Sequence, residues 1–234
     1  MFTVHRGALS SSRKSDMEQL PIIPDPDHSS VGQKVANAIM VFLGKIPETG
    51  ESESLTPHQS AHAIANSAAA KAAAAAGALA LPPGPIGWLT ILPELHTMWK
   101  IQTQMVADIA GVYGKTASLS QEQMLYCLFK HGAAMAVRDI VVRVGDRYLV
   151  RRLTPKLLEA VAKKVGIKIT QKTVGKAVSR WLPVVGALGV GAYAFYDTAK
   201  VARTAMELFE AEIDIEPPAP ATPPPLPDRT VDVD

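Results

Sequence analysis

Few residues in this chain combine the type and the spacing that chemistry requires. His58 and His62 stand four apart within HQSAH, so on a helix both imidazoles leave one face, where they could share a metal ion. No Glu follows His58 as in a zincin, and no further ligand is supplied nearby, so a polar helix face is expected and no metal is assigned. Glu94, His96, Asp108, Tyr113 and His131 are the groups from which an acid–base site would be drawn. Nothing in their spacing forces them together, and capping or satisfied core polar groups account for such residues more often. Cys127, the single cysteine, lies on an apolar helical face and reads as core. Neither G-x-S-x-G nor a cysteine nucleophile signature is present. The run GALGVG, Gly186 to Gly191, lacks the order of a dinucleotide fingerprint, a preceding strand and the Gly-Lys-Ser/Thr of a P-loop; glycine that permits close helix packing explains it better. The chain is therefore expected to be a non-enzyme without catalytic residues or cofactor.

The elements that would position these groups are dominated by two apolar blocks. Ala72 to Pro93 contains no ionisable side chain, and Trp181 to Tyr196 is a second such block. The first combines an alanine-rich helix, opened by Thr56-Pro57, with a second helix expected from near Gly87 to Val112; Gly111 and Gly114 supply its stop. Small side chains all round the alanine helix let a neighbour approach closely. Pro82, Pro83, Gly84 and Pro85 cannot continue a helix, so the chain must bend between the two, and Pro183 and Gly186 punctuate the second block in a similar way. One straight transmembrane span through the first block is improbable because the proline turn divides it. Two readings stay open. In one, Leu79, Leu81, Ile86, Trp88, Leu89 and Ile91, with Trp181, Leu182, Val184, Val185 and Leu188, enter one leaflet of a bilayer; in the other they form core helices of a soluble domain. Each block, with similar Pro and Gly punctuation, opens into a helix that carries Lys100 or Lys200, which suggests a duplicated hairpin.

Between the blocks the chain is basic. From Lys130 to Arg180 there are thirteen Lys and Arg against Asp139, Asp146 and Glu159, within a total net charge of only +2. Arg143, Arg147, Arg151, Arg152, Lys156, Lys163, Lys164, Lys168, Lys172, Lys176 and Arg180 are the expected contacts to an anionic surface, each worth about 1 kcal/mol near charged lipid. A solvated face balanced by the acidic C-terminus is the plainer reading for any one of them. Ser120 with Gln123 makes a capping-box pattern. Asp139 to Val150 is β-branched, yet Val137, Ile140, Val141, Val144 and Leu149 also fit helical spacing, and a helix is expected there. Thr154-Pro155 opens a basic amphipathic helix that Gly166 and Gly175 would interrupt.

These elements bound the organisation. An all-α helical bundle is expected, with a mobile tail over residues 1–28, one helical domain over 29–213 and a Pro-rich, acidic, disordered tail over 214–234. A helix from Ser29 or Ser30 to Leu43 begins the domain, and GESESL is a loop. With 47% apolar and 20% charged residues the composition is that of an ordinary globular domain. One cysteine excludes an internal disulfide and the first twenty residues lack a signal-peptide core, so a cytoplasmic location is expected.

The succession GALALPPGPIGWLTILPELHTMWKIQTQMVADIAGVYG, a basic middle and RWLPVVGALGVGAYAFYDTAKVARTA resembles the EcsC family, a mostly bacterial group, over roughly Thr56 to Phe209. Its markers here are the Pro/Gly-broken apolar segment, Ile109-Ala110 with Tyr113-Gly114, and the Pro-x-x-Gly start of the last helix. The resemblance implies an α-helical domain with a tendency to membrane association and no agreed activity; the family's founding member is linked to an ABC transporter operon. The leading expectation is a membrane-associated helical module on the cytoplasmic face of the inner membrane, touching anionic lipid through the basic segment and the apolar blocks. The alternatives are a soluble bundle that binds an apolar ligand or a protein partner, and nucleic-acid binding through the basic segment. Against the last, Tyr148 is the main aromatic there available for stacking.

Overall fold

The computed structural model describes residues 28–79, 91–174 and 183–216. Helix dominates it, as the all-α expectation requires. Helix α1 spans His28–Gly44 and α2 Pro57–Leu79, which starts at the proline after Thr56. Helix α3 spans Ile91–Val112 and stops ahead of Gly114, whose φ of 67° lies in the left-handed region that glycine tolerates. The expected start of α3 near Gly87 lies outside the described residues. Helix α4, Gln121–Phe129, has the anticipated capping box: the Ser120 hydroxyl accepts from the Gln123 amide at 3.3 Å, and the Ser120 amide donates to the Gln123 side chain at 2.9 Å. A one-turn helix α5 follows at Ala134–Val137.

The helix expected over Asp139 to Val150 is instead a hairpin. Strand β1, Val141–Val144, pairs antiparallel with β2, Arg147–Arg151, in the register Val141 to Val150 and Val144 to Arg147. Only Gly145 and Asp146 join them, and Gly145 has a φ of 63°, the requirement at the first position of a type II′ turn. Helical spacing misled because β-branched residues fit either period over so short a run, whereas a Gly-Asp pair between two such runs marks a hairpin. Helix α6, Pro155–Val174, passes through Gly166 without a break, correcting the expected interruption. A Cβ on Gly166 would lie 2.5 Å from the Gly32 carbonyl oxygen, so the glycine lets α1 and α6 cross closely. Helix α7 spans Pro183–Glu210 and runs almost directly into β3, Glu212–Glu216. Strand β3 pairs parallel with β2, Arg147 opposite Glu212 and Arg151 opposite Glu216, which carries ordered chain three residues past the boundary expected at 213.

Contacts fix the directions of the central helices. The Ser54 amide, just before α2, donates to the Val112 carbonyl at the end of α3, so α2 and α3 run antiparallel. Thr198 of α7 meets Met98 and Gln102 of α3, while Tyr113 just past α3 feels the charge of Glu210 at the end of α7; these two helices run parallel. Gly191 of α7 lies against Ala73 and Gly77 near the end of α2. Helix α2 contributes only alanines to the buried interior, Ala61, Ala65, Ala68, Ala69, Ala72 and Ala76, as close approach demands. The larger core side chains come from α1, α3, α4 and α7, among them Ile39, Leu43, Met105, Ile109, Leu125 and Phe209. Among the described residues α6 packs chiefly on α1, and no α6–α7 pairing like that of α2 with α3 accompanies Lys100 and Lys200.

Candidate functional site

The groups considered for acid–base chemistry do not converge. His96 stands edge-on to Phe42, with ring centroids 4.7 Å apart. Asp108 accepts from Thr49 at 2.7 Å and from Gln104 at 2.9 Å, tying the loop after α1 to α3. Tyr113 buries its hydroxyl without a hydrogen-bond partner among the described residues, and burial, then Glu210, raises its pKa. The side chain of Glu94 lies outside the described residues. His58 and His62 face each other at 4.6 Å on the exposed side of α2, and no group of three metal-ligating side chains occurs among the described residues. Cys127 is fully buried, and burial pushes its thiol pKa up, which makes the thiolate scarce.

His131 forms an ion pair with Asp197, a residue that its type and spacing in the sequence did not single out. Its Nε2 lies 2.8 Å from Asp197 Oδ1, while Gln102 donates to Asp197 Oδ2 at 3.1 Å and to the Thr198 hydroxyl at 3.3 Å. The cluster joins α3, the turn after α4, and α7. Burial alone would raise the Asp197 pKa; the hydrogen bond and charge of His131, with Gln102 and Lys200, bring it below the ordinary carboxylate value. No hydroxyl or thiol nucleophile is hydrogen-bonded to His131, whose Nδ1 is buried and unpartnered among the described residues. The arrangement orients and cross-links helices. Its residues come from three separate elements, and no local spacing in the sequence announces them.

The basic segment divides in two. Arg147 pairs with Glu212 at 3.2 Å and Asp214 at 3.6 Å, Arg151 with Glu216 at 3.0 Å, and Arg152 with the buried Glu122 at 3.7 Å. Arg143 stacks over Tyr148 and donates to the Gly145 carbonyl. The hairpin arginines are thus largely met by the acidic strand β3, in the charge balance anticipated for a solvated face. Lys156, Lys163, Lys164 and Lys168 of α6 are exposed and have no ion-pair partner among the described residues. Lys172 belongs to α6, but its side chain lies outside the described residues, as do Lys176 and Arg180 altogether.

The described parts of the two apolar blocks come together at one end of the bundle. Since α2 runs antiparallel to α3 and α3 parallel to α7, the end of α2, the start of α3 and the start of α7 share that end. Leu79 is 40% exposed there and Leu188 72%, with Tyr193, Phe195 and Tyr196 also exposed along α7. Ile91, Pro183, Val184, Val185 and Gly186 lie in these helices with undescribed side chains; Leu81, Pro82, Pro83, Gly84, Pro85, Ile86, Trp88, Leu89, Trp181 and Leu182 lie outside the described residues. None of the described helices is long and apolar enough to cross a membrane. No family model, no curated protein and no solved structure matches the chain.

Proposed function

We propose that the protein is a non-enzymatic, EcsC-like helical module that docks on the cytoplasmic face of a membrane through the apolar end of its α2–α3–α7 bundle. One observation carries this reading: the described parts of two blocks without charged side chains, about a hundred residues apart in sequence, meet at one end of the fold and leave large apolar side chains exposed there. Exposed apolar surface of this kind is stabilised by a bilayer or a partner, not by water. The lysines of α6 supply a basic face, and a lysine near anionic lipid adds about 1 kcal/mol of attraction. The hairpin arginines contribute less, because β3 already engages them.

Flotation of the purified chain with neutral and anionic liposomes, at low and high salt, tests the proposal. Binding that persists at high salt is the expected result, since apolar insertion is not screened. Binding to neither vesicle type would overturn it.

A further inference from the structure

Resting on that reading, we infer that Lys71, Lys100 and Lys200 form a collar at the phosphodiester level of the bilayer, and that the bundle enters only one leaflet. The three lysines come from three different helices and stand close to one height. Thr198 meets Met98 and Gln102, which sets Lys100 level with residue 198 of α7. Gly191 meets Ala73 and Gly77, and α2 runs the other way, so Lys71 lies near the level of residue 195. At 1.5 Å per residue the three span about 8 Å along the bundle. Lys71 and Lys100 are exposed and have no ion-pair partner among the described residues, and the Lys200 ammonium lies 4.4 Å from the centre of the Tyr196 ring.

The collar marks a boundary in composition. On its apolar side, residues 72–93 hold no ionisable group and 181–196 hold none either, apart from tyrosine hydroxyls. Glu94 and His96 stand six and four residues before Lys100, about 9 and 6 Å to its apolar side, so on α3 the uncharged stretch ends near the level of Tyr193 rather than at the lysines. Tyr193 and Tyr196, 57% and 61% exposed, lie just inside the collar, where amphipathic rings favour the headgroup region. From Tyr193 back to Pro183 the helix rises about 15 Å, half of a hydrocarbon core of about 30 Å. Cations outside, tyrosines at the interface and one leaflet's depth of apolar chain complement a phospholipid leaflet. An acidic protein would match the lysines and leave the apolar tip unexplained.

Nitroxide labels at Leu188→Cys, Tyr193→Cys, Lys200→Cys and Met135→Cys, one per protein, test this on full chains bound to anionic vesicles; Cys127 is fully buried and does not compete for label. Depth should decrease in the order 188, 193, 200, with the label at 135 in water. Lys71→Gln, Lys100→Gln and Lys200→Gln should each weaken vesicle binding about fivefold. Vesicle-bound protein whose labels at 188 and 193 stay in water, or whose three lysine variants bind as wild type, overturns the collar and leaves membrane docking standing. Failure of the unlabelled wild-type chain to float overturns both.

Discussion

Asp197 gathers polar contacts from more elements than any other residue described above, and its energetics follow from that. It accepts from Gln102 and partners His131 while only about a quarter of its side chain is exposed. Hydrogen bonds to a charged group contribute about 1.5–3 kcal/mol, so Asp197→Asn should cost that much at neutral pH in urea unfolding. The carboxyl titrates lower in the folded chain than in the unfolded one. Its contribution is therefore fully present above the ordinary carboxylate pKa of about 4 and is lost as pH falls through the depressed folded value. The difference between wild type and variant should narrow below about pH 4. A difference that is constant from neutral to acid pH would show that the charge of Asp197 plays no part.

At the scale of elements, the glycines in the long helices differ in what surrounds them. A methyl group at Gly166 would press on the backbone of α1, whereas at Gly189 it would meet nothing within 4 Å. Gly166→Ala should therefore destabilise the fold by about 1–3 kcal/mol through overpacking. Gly189→Ala should stabilise it by about 0.5–1 kcal/mol by restricting the unfolded chain. Thermal and chemical denaturation of the two variants check both signs; equal effects would mean that the α1–α6 crossing is looser than described. Much of this layer was legible in the sequence. The Thr-Pro starts of α2 and α6, the Ser120 capping box and the end of α1 at Gly44 all depend on local backbone chemistry that sequence records. The hairpin was misread because a four-residue strand carries too few turns of either period to decide, although Gly145-Asp146 held the signal. Strand β3 was hidden for a different reason: acidic residues beside a proline-rich run resemble a tail until Arg147 and Arg151 stand opposite them. Those ion pairs are surface-exposed, each worth about 0–1 kcal/mol, so the backbone ladder to β2, with half-buried Ile213 against the core, carries most of its docking.

At the scale of the molecule, the sequence shows that two apolar blocks exist and leaves open where they go. Their convergence depends on the parallel packing of α3 with α7, which is fixed by Gln102, Thr198 and Met98 and has no counterpart in any local pattern. The fold also separates basic groups that looked continuous along the chain: Arg147 and Arg151 on the hairpin meet β3, Lys156, Lys163, Lys164 and Lys168 on α6 are exposed, and the proposed collar draws on Lys71, Lys100 and Lys200 from three other helices. The central claim is that this apolar end contacts lipid. The three tryptophans give direct access to it, because Trp88 and Trp181 belong to the two blocks while Trp99 is buried in the core beside Phe42 and Phe129. The measurement is intrinsic fluorescence on titration with anionic vesicles, with and without bromine on the lipid acyl chains. The account predicts a blue shift and quenching by brominated lipid, both abolished in Trp88→Phe/Trp181→Phe, which leaves the Trp99 signal indifferent to lipid. Emission unchanged by vesicles, or quenching that survives in the double variant, would contradict it.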